Sequence, residues 1–304
     1  MMPDGTPAIP PFSLRDLQWV ITSPFLLKHR AEPELAHHPE TALLLERLAT
    51  DPAPLLSHLA ATPRLNLGRY FEQLVIFWLN NLPSVEVIGS NIRIYRDRRS
   101  LGELDLVFTQ NGKAYHWELA VKFYLNIGSG QEEADFVGPM QKDTLAHKFH
   151  RMYDHQLALP ARRETREKLE ALGIGEITSH PWVKGCLFHP LGATQRLLPS
   201  RIADDSLSGG WLTIRELQSP RFKTVVRFLP LAKKRWITPE FHAGETMEGG
   251  ADDLANYLTR QFESRPAPQL VALKNGNKTE RCFIVPEGWP ELSRKTDDGQ
   301  EAGD

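Results

Sequence analysis

Gly102–Lys122, GELDLVFTQNGKAYHWELAVK, decides how this chain reads. Leu104, Leu106 and Phe108 alternate with Glu103, Asp105 and Val107, the period of a β-strand. Asn111-Gly112 follows, the dipeptide that tolerates positive φ at both centres of a tight hairpin turn. A second strand then places Trp117, Leu119, Val121 and Phe123 on one face, and Glu118, Ala120 and Lys122 on the other. With a two-residue loop, Gln110 pairs with Lys113, Val107 with His116 and Asp105 with Glu118. Direct cross-strand neighbours have Cβ atoms about 5 Å apart. Two carboxylates so placed repel by about 3 kcal/mol at an effective dielectric near ~20. A bound cation, a proton or a nearby base must offset that. Paired acids beside Lys122 suit a divalent metal; a solvated strand face neutralised by Lys122 is the alternative.

Working outward, Asn66–Leu82 is the strongest helix in the sequence. Leu67, Tyr70, Phe71, Leu74, Val75, Trp78 and Leu82 form one broad apolar face. Glu72 sits inside it, where a carboxylate is costly unless paired or bound to metal. It either pairs with Arg69 or turns to the hairpin acids, and the second is expected. Val85–Ile88 and Asn91–Tyr95 read as strands. Arg96, Arg98 and Arg99 form a basic tip, read as a solvated turn. After the hairpin, Asp143–Leu159 reads as a helix with a core stripe of Leu145, Phe149, Met152, Tyr153 and Leu157. Beside that stripe run Asp143, His147, His150 and Asp154, read as a solvated face, and Lys148, Arg151 and His155, which could touch phosphate oxygens.

Further out the signals are plainer. Ser13 is a candidate N-cap of a helix that Pro24 ends. Thr41–Thr50 is a short helix, and Pro52, Pro54 and Pro63 punctuate the stretch after it. Ala161–Leu172 is a surface helix and Pro181–Phe188 a strand. Gly209-Gly210 marks a turn, and Thr213–Phe228 mixes helix and strand signals. Leu254–Phe262 is a helix, and Gln269–Leu273 with Arg281–Val285 a terminal hairpin around Asn275-Gly276. Met1–Pro11 reads as loose and the tail from Ser293 as disordered.

Composition bounds the function. The chain has 304 residues, 41% apolar and 24% charged, enough for a sizeable core in one or two domains. A net charge of −2 gives no global field for nucleic acid, so any such contact needs a local basic patch. Two isolated cysteines, Cys186 and Cys282, make neither a disulfide framework nor a zinc cluster. With no signal-peptide pattern and no long apolar run, a cytoplasmic protein without membrane contact is expected.

The stretches Leu14–Leu27, Gly68–Leu74 (GRYFEQL), Gly102–Phe108 (GELDLVF), Trp117–Leu125 (WELAVKFYL), Gly138–Leu157 and Phe283–Pro290 (FIVPEGWP) resemble the uncharacterised bacterial family called domain of unknown function 1853. The order helix with acid, strands, acidic hairpin, helix, strand also resembles the PD-(D/E)XK nuclease superfamily. That resemblance implies an α/β fold with a restriction-endonuclease-like core, an α-β-β-β-α-β mixed sheet flanked by helices. The core would span 64–192, after an N-terminal helical segment (1–63) and before a C-terminal α+β extension (193–292) and a disordered tail (293–304). It further implies Mg²⁺ or Mn²⁺ on Asp105 and Glu118, with the backbone carbonyl of Leu119, while Glu72 binds a second ion or orients a water. Leu104 stands where the motif has proline. Ala120 stands where it has lysine, and Lys122 lies two residues further on the same strand face. Lys122 would hold the attacking water or stabilise charge on the phosphate, Lys148 and Arg151 would hold a substrate phosphate, and Glu103 is read as solvated. The expected function is a metal-dependent phosphodiesterase, a nuclease acting on DNA or RNA. The alternative is a catalytically inactive module of the same fold, used for binding or regulation.

Overall fold

The computed structural model describes residues 12–28, 31–62, 65–193, 195–238, 247–275 and 278–291. The terminal segments expected to be loose lie outside these, as does Gly276 in the last hairpin turn. The fold is mixed α/β, with seven α-helices among the described residues. Two compact units interleave along the chain, cutting across the expected segment boundaries. One comprises Met1–Lys122, Lys148–Gly185 and Arg201–Ser206; the other comprises Phe123–His147, Cys186–Ser200 and Leu207–Asp304.

The first unit begins with four helices, α1 (Ser13–Thr22), α2 (Pro39–Thr50), α3 (Ala53–Ala60) and α4 (Leu67–Asn80). The α1 helix ends before Pro24 as expected, but its N-cap is Phe12; Ser13 is already helical and buried. The α3 helix was not expected among so many prolines. Pro52 stands just before it and Pro54 in its first turn, where a missing N–H costs nothing. Asn66 caps α4 by accepting the N–H of Arg69 at 3.0 Å. The carbonyls of Ile21 and Ser23 that close α1 accept the buried ammonium of Lys184, a cation at the negative end of a helix dipole.

Three antiparallel strands follow, β1 (Val85–Arg96), β2 (Arg99–Gln110) and β3 (Lys113–Asn126). The β2–β3 turn is the two-residue Asn111-Gly112, with φ of 50° and 75°. Gln110 pairs with Lys113 and Val107 with His116, the register expected. The β1–β2 ladder is interrupted between Ile94 and Tyr95, where a bulge displaces β2 at Leu101.

Later elements complete both units: β4 (Phe136–Val137), α5 (Leu145–Arg151), α6 (Arg163–Glu170) and β5 (Ile177–Pro190). In the first unit the strand order is β1-β2-β3-β5. Trp78 of α4, Trp117 of β3 and Trp182 of β5 form its aromatic centre. Trp117 and Trp182 stack with centroids 4.2 Å apart, and Trp78 lies 5.3 Å from Trp182. This cluster locks α4 against the strand that carries Glu118. Tyr70 adds a buried tie, its hydroxyl donating to Asp16 of α1 at 2.8 Å.

The second unit takes the ends of β3 and β5 and adds β6 (Ser208–Thr213), β7 (Arg227–Pro230), β8 (Met247–Glu248), α7 (Ala251–Ser264), β9 (Gln269–Asn275) and β10 (Lys278–Val285). Its strand order is β5-β6-β10-β9-β7-β8, with β4 paired to β3. The β6 strand is parallel to both β5 and β10, and the β9–β10 hairpin is antiparallel as expected. Gly209-Gly210 lies inside β6 and is not a turn. A Cβ at either position would meet Phe188 or Leu191 at under 3 Å, so packing, not a reversal, requires glycine. Leu254 and Leu258 of α7 close the core over Phe228, Val271 and Ile284. No helix among the described residues is long and apolar enough to cross a membrane.

Candidate functional site

The β2–β3 ladder stops at Leu106 paired with Trp117, one rung short of Asp105 and Glu118. Beyond it the strands part. Where the next backbone bond would be, the carboxylate of Asp105 accepts the N–H of Leu119 at 2.9 Å. The two acids remain in hydrogen-bonding contact through their side chains. Thus they are not the flat cross-strand pair that alternation implies; they meet in the cleft between diverging strands.

Glu118 is 1% exposed. Burial, then the charge of Asp105, pushes its carboxyl up to about 9, against the opposing pull of Lys148 and Arg151. Burial also raises Asp105, offset in part by the Leu119 N–H. Glu72 projects toward the same place. Burial and then Asp105 raise it to about 7, with Arg69 opposing and Glu103 adding to the rise. Glu72 therefore feels both the hairpin acids and the Arg69 charge expected as the alternative. Glu103 is not simply solvated: it accepts from Arg93 at 3.3 Å across the β1–β2 ladder.

One oxygen of Glu118, Oε2, is buried with no hydrogen-bond partner. Nε2 of His116 stands 3.8 Å from it. That contact is not an ion pair, because burial, then His180, pushes the imidazole down to about 4. The other oxygen, Oε1, accepts from the amide of Gln156. Lys148 donates to Gln156 at 3.1 Å and stands 4.0 Å from Glu118 Oε1.

Gln156 reaches this point through an irregularity. The helix expected over Asp143–Leu159 is regular only through α5; Met152–Gln156 then forms a wide π turn closed by Leu157 N–H donating to Met152 at 2.9 Å. On an unbroken α-helix, Gln156 would lie about 80° around the axis from Lys148. The wide turn absorbs one residue and brings the offset to about 20°, so both side chains converge on Glu118. The expected stripe of Lys148, Arg151 and His155 is therefore replaced by one in which Gln156 joins Lys148.

The other expected residues separate. Lys148, expected on phosphate, is the ammonium that faces the acids. Burial lowers Lys148, Glu118 opposes that shift, and Lys122 lies near enough to disfavour its charge further. Arg151 is exposed and, with Asp105, Gln156, His155 and Arg93, lines an open cavity of about 490 Å³. Asp143 precedes α5 and accepts the hydroxyl of Tyr124 at 2.9 Å. His150 and Asp154 pair at 2.6 Å on the surface. Among the described residues, no three His, Cys, Asp or Glu side chains form a group that could hold a metal ion. Any cation here would rest on two carboxylates, with backbone oxygen and water completing its shell.

No curated protein and no solved structure matches the chain. Residues 15–285 match a family model described as a domain of unknown function (DUF1853), and the chain belongs to that family.

Proposed function

We propose that this protein is a metal-dependent phosphodiesterase acting on nucleic acid, with Asp105 and Glu118 as the ligands of Mg²⁺ or Mn²⁺. The observation that carries the reading is the buried Asp105–Glu118 pair with an unpartnered Glu118 oxygen. Two hard oxygen donors held together in a buried cleft, one of them with an oxygen left without a partner, fit a small divalent cation that displaces the proton on Glu118. Chain order also supports a nuclease-like core: α4, the antiparallel β1–β2–β3, α5 and β5 follow one another as that core requires, with β4, the short α6 and a few single helical turns inserted.

A bound cation would supply Lewis-acid polarisation of a phosphoryl oxygen and lower the pKa of water. Asp105, oriented by the Leu119 N–H, lies at the cavity wall, where substrate enters. Glu118 lies behind it. Lys148 offers its ammonium to charge that develops on the phosphoryl group, taking the place left by Ala120 in the strand. Gln156 fixes both Glu118 and Lys148. Glu72 modulates the field from α4, and Arg151 at the cavity wall faces an incoming phosphate.

A screen of single- and double-stranded DNA and RNA with Mg²⁺ and Mn²⁺, run beside Asp105→Ala, tests this. Cleavage that needs the metal and disappears in the variant is expected. A second reading, a binding module of the same fold, has one observation in its favour: the lack of a three-residue ligand group among the described residues. Nucleic-acid binding with no cleavage under any metal would select it.

A further inference from the structure

The acids explain what happens at one wall of the cavity but not what the rest of its lining is for. A second cavity of about 650 Å³ shares Ser100 and Leu101 with the first. Its walls carry Arg96, Arg99 and Arg162. It lies at the end of the β1–β2 hairpin, whose turn is the dipeptide Asp97-Arg98, with φ of 46° and 70°. An arginine enters that left-handed region at a cost of about 1 kcal/mol or more. The closing rung sets Arg96 directly opposite Arg99, like charges face to face. Glu164 holds Arg96, while Arg98, Arg99 and Arg162 are exposed. The neighbouring β2–β3 turn uses relaxed Asn-Gly. This tip instead accepts strain at Arg98 and, with Arg96 held by Glu164, presents Arg98, Arg99 and Arg162 as a local basic patch that suits a polyanion.

Between the tip and the acids lies Tyr95, 50% exposed and lining the Asp105 cavity. Alternation puts it on the same side of β1 as Arg93, which pairs with Glu103 two residues before Asp105. Arg93 also hydrogen-bonds the Tyr95 hydroxyl, at the edge of the ring and away from its faces. An exposed aromatic beside a row of arginines matches the needs of unpaired bases, whose π-faces are free to stack. In a duplex those faces are covered by neighbouring base pairs.

We propose that Tyr95 is a stacking platform for an unpaired base, and that Arg98, Arg99 and Arg162 hold the phosphates leading from it. The substrate class is then a single-stranded nucleic acid, or a single-stranded end, lying over the hairpin tip toward Asp105. The role given to Asp105 rests on the phosphodiesterase reading; the binding does not.

Fluorescence anisotropy of the full chain in EDTA, so without metal, separates the two. The probes are labelled oligo-dT and oligo-U of about 20 nucleotides and a blunt duplex of equal length, each at several salt concentrations. Single strands should bind at least about tenfold tighter than the duplex, and comparing the two single strands tells DNA from RNA. Tyr95→Ala should weaken single-strand binding about tenfold and Tyr95→Phe should restore it, since stacking is worth about 1–3 kcal/mol per base. Arg98→Ala with Arg99→Ala should flatten the salt dependence by about 0.7 per arginine. Equal affinity for duplex, no binding at all, or wild-type affinity in Tyr95→Ala overturns the inference. Strong single-strand binding without Mn²⁺-dependent cleavage would keep it and remove the phosphodiesterase.

Discussion

Lys148 stands 4.0 Å from Glu118, and the two pull each other toward charge while burial pushes both toward neutrality. The lysine comes from the helix after the hairpin, not from the strand that carries the acid. If the site cleaves phosphodiesters, Lys148→Met should lower kcat about a hundredfold or more, the scale of removing one preorganised donor from a developing charge. Lys122→Met should cost much less. Single-turnover kinetics on the two variants decide which lysine serves the acids, and equal losses would reject the assignment.

Glu118 gives a pH dependence whose sign can be worked out. Its carboxyl is held near about 9 in the folded protein, above its ordinary value of 4.5. The folded state therefore binds the proton more tightly than the unfolded state. That contribution is complete below the ordinary value and is lost as pH rises through about 9. Lys148 and Lys184 are shifted downward and act the other way, so the informative quantity is a difference. Glu118→Gln should gain stability relative to wild type as pH rises from 5 to 9 (~4 units), measured by urea melts. A constant difference across that range would show that Glu118 is not protonated at neutral pH.

A metal ion takes the place of that proton between the acids. Mn²⁺ at about a hundredfold excess over its Kd should stabilise the wild type by about 2.7 kcal/mol. Ligand deprotonation makes the effect larger at high pH. Asp105→Asn keeps an oxygen for the Leu119 N–H and removes the repulsion that sets in once pH rises through about 9 and Glu118 loses its proton. Without metal it should be at least as stable as wild type above that pH, and its response to Mn²⁺ should shrink or vanish. A destabilised variant together with an unresponsive wild type would exclude the metal site. Thermal melts with and without millimolar Mn²⁺ read both.

Gly185 tests the frame that carries the acids. Its φ is 154°, and a Cβ there would lie 1.8 Å from the carbonyl oxygen of Lys122, on the strand beside it. Neither the oxygen nor the strand can withdraw without moving β3. Gly185→Ala should cost about 3 kcal/mol or more, in the class of strained backbone positions. Chemical denaturation measures this directly, and a loss below about 1 kcal/mol would mean that β3 yields easily.

What could be read from the sequence tracked the strength of local signals. Asn111-Gly112 fixed the hairpin register because few other dipeptides suit that turn, and the all-apolar second half of α4 marked it as buried. Glu72 could be directed toward the hairpin because a carboxylate on such a helix needs a partner. The parting of β2 and β3 was not legible, since alternation alone continues a ladder through Asp105. Gln156 escaped because helical-wheel reasoning advances a constant angle per residue, and the wide turn at Met152 breaks that rule. The interleaved units escaped too. Their boundaries at Lys122, Lys148 and Gly185 fall inside continuous strands and a helix, where composition does not change.

The wide turn at Met152–Gln156 also constrains how this chain can change in length. Deleting one residue there would restore an ordinary helix and leave the upstream buried positions Leu145, Phe149 and Met152 on their face. It would also keep everything after the turn in place, because seven residues of regular helix end at the same offset of about 20° from Lys148 that the wide turn gives over eight. The glutamine would still meet Glu118, and the leucine now at 159 would keep its seat over Gly102. A single-residue change in length anywhere else between the two side chains would instead swing the glutamine about 100° away from the lysine and uncouple the site. Homologues that keep the acid pair are therefore expected to show a spacing of eight with the wide turn or of seven in an unbroken helix, even where neither neighbouring sequence is alike.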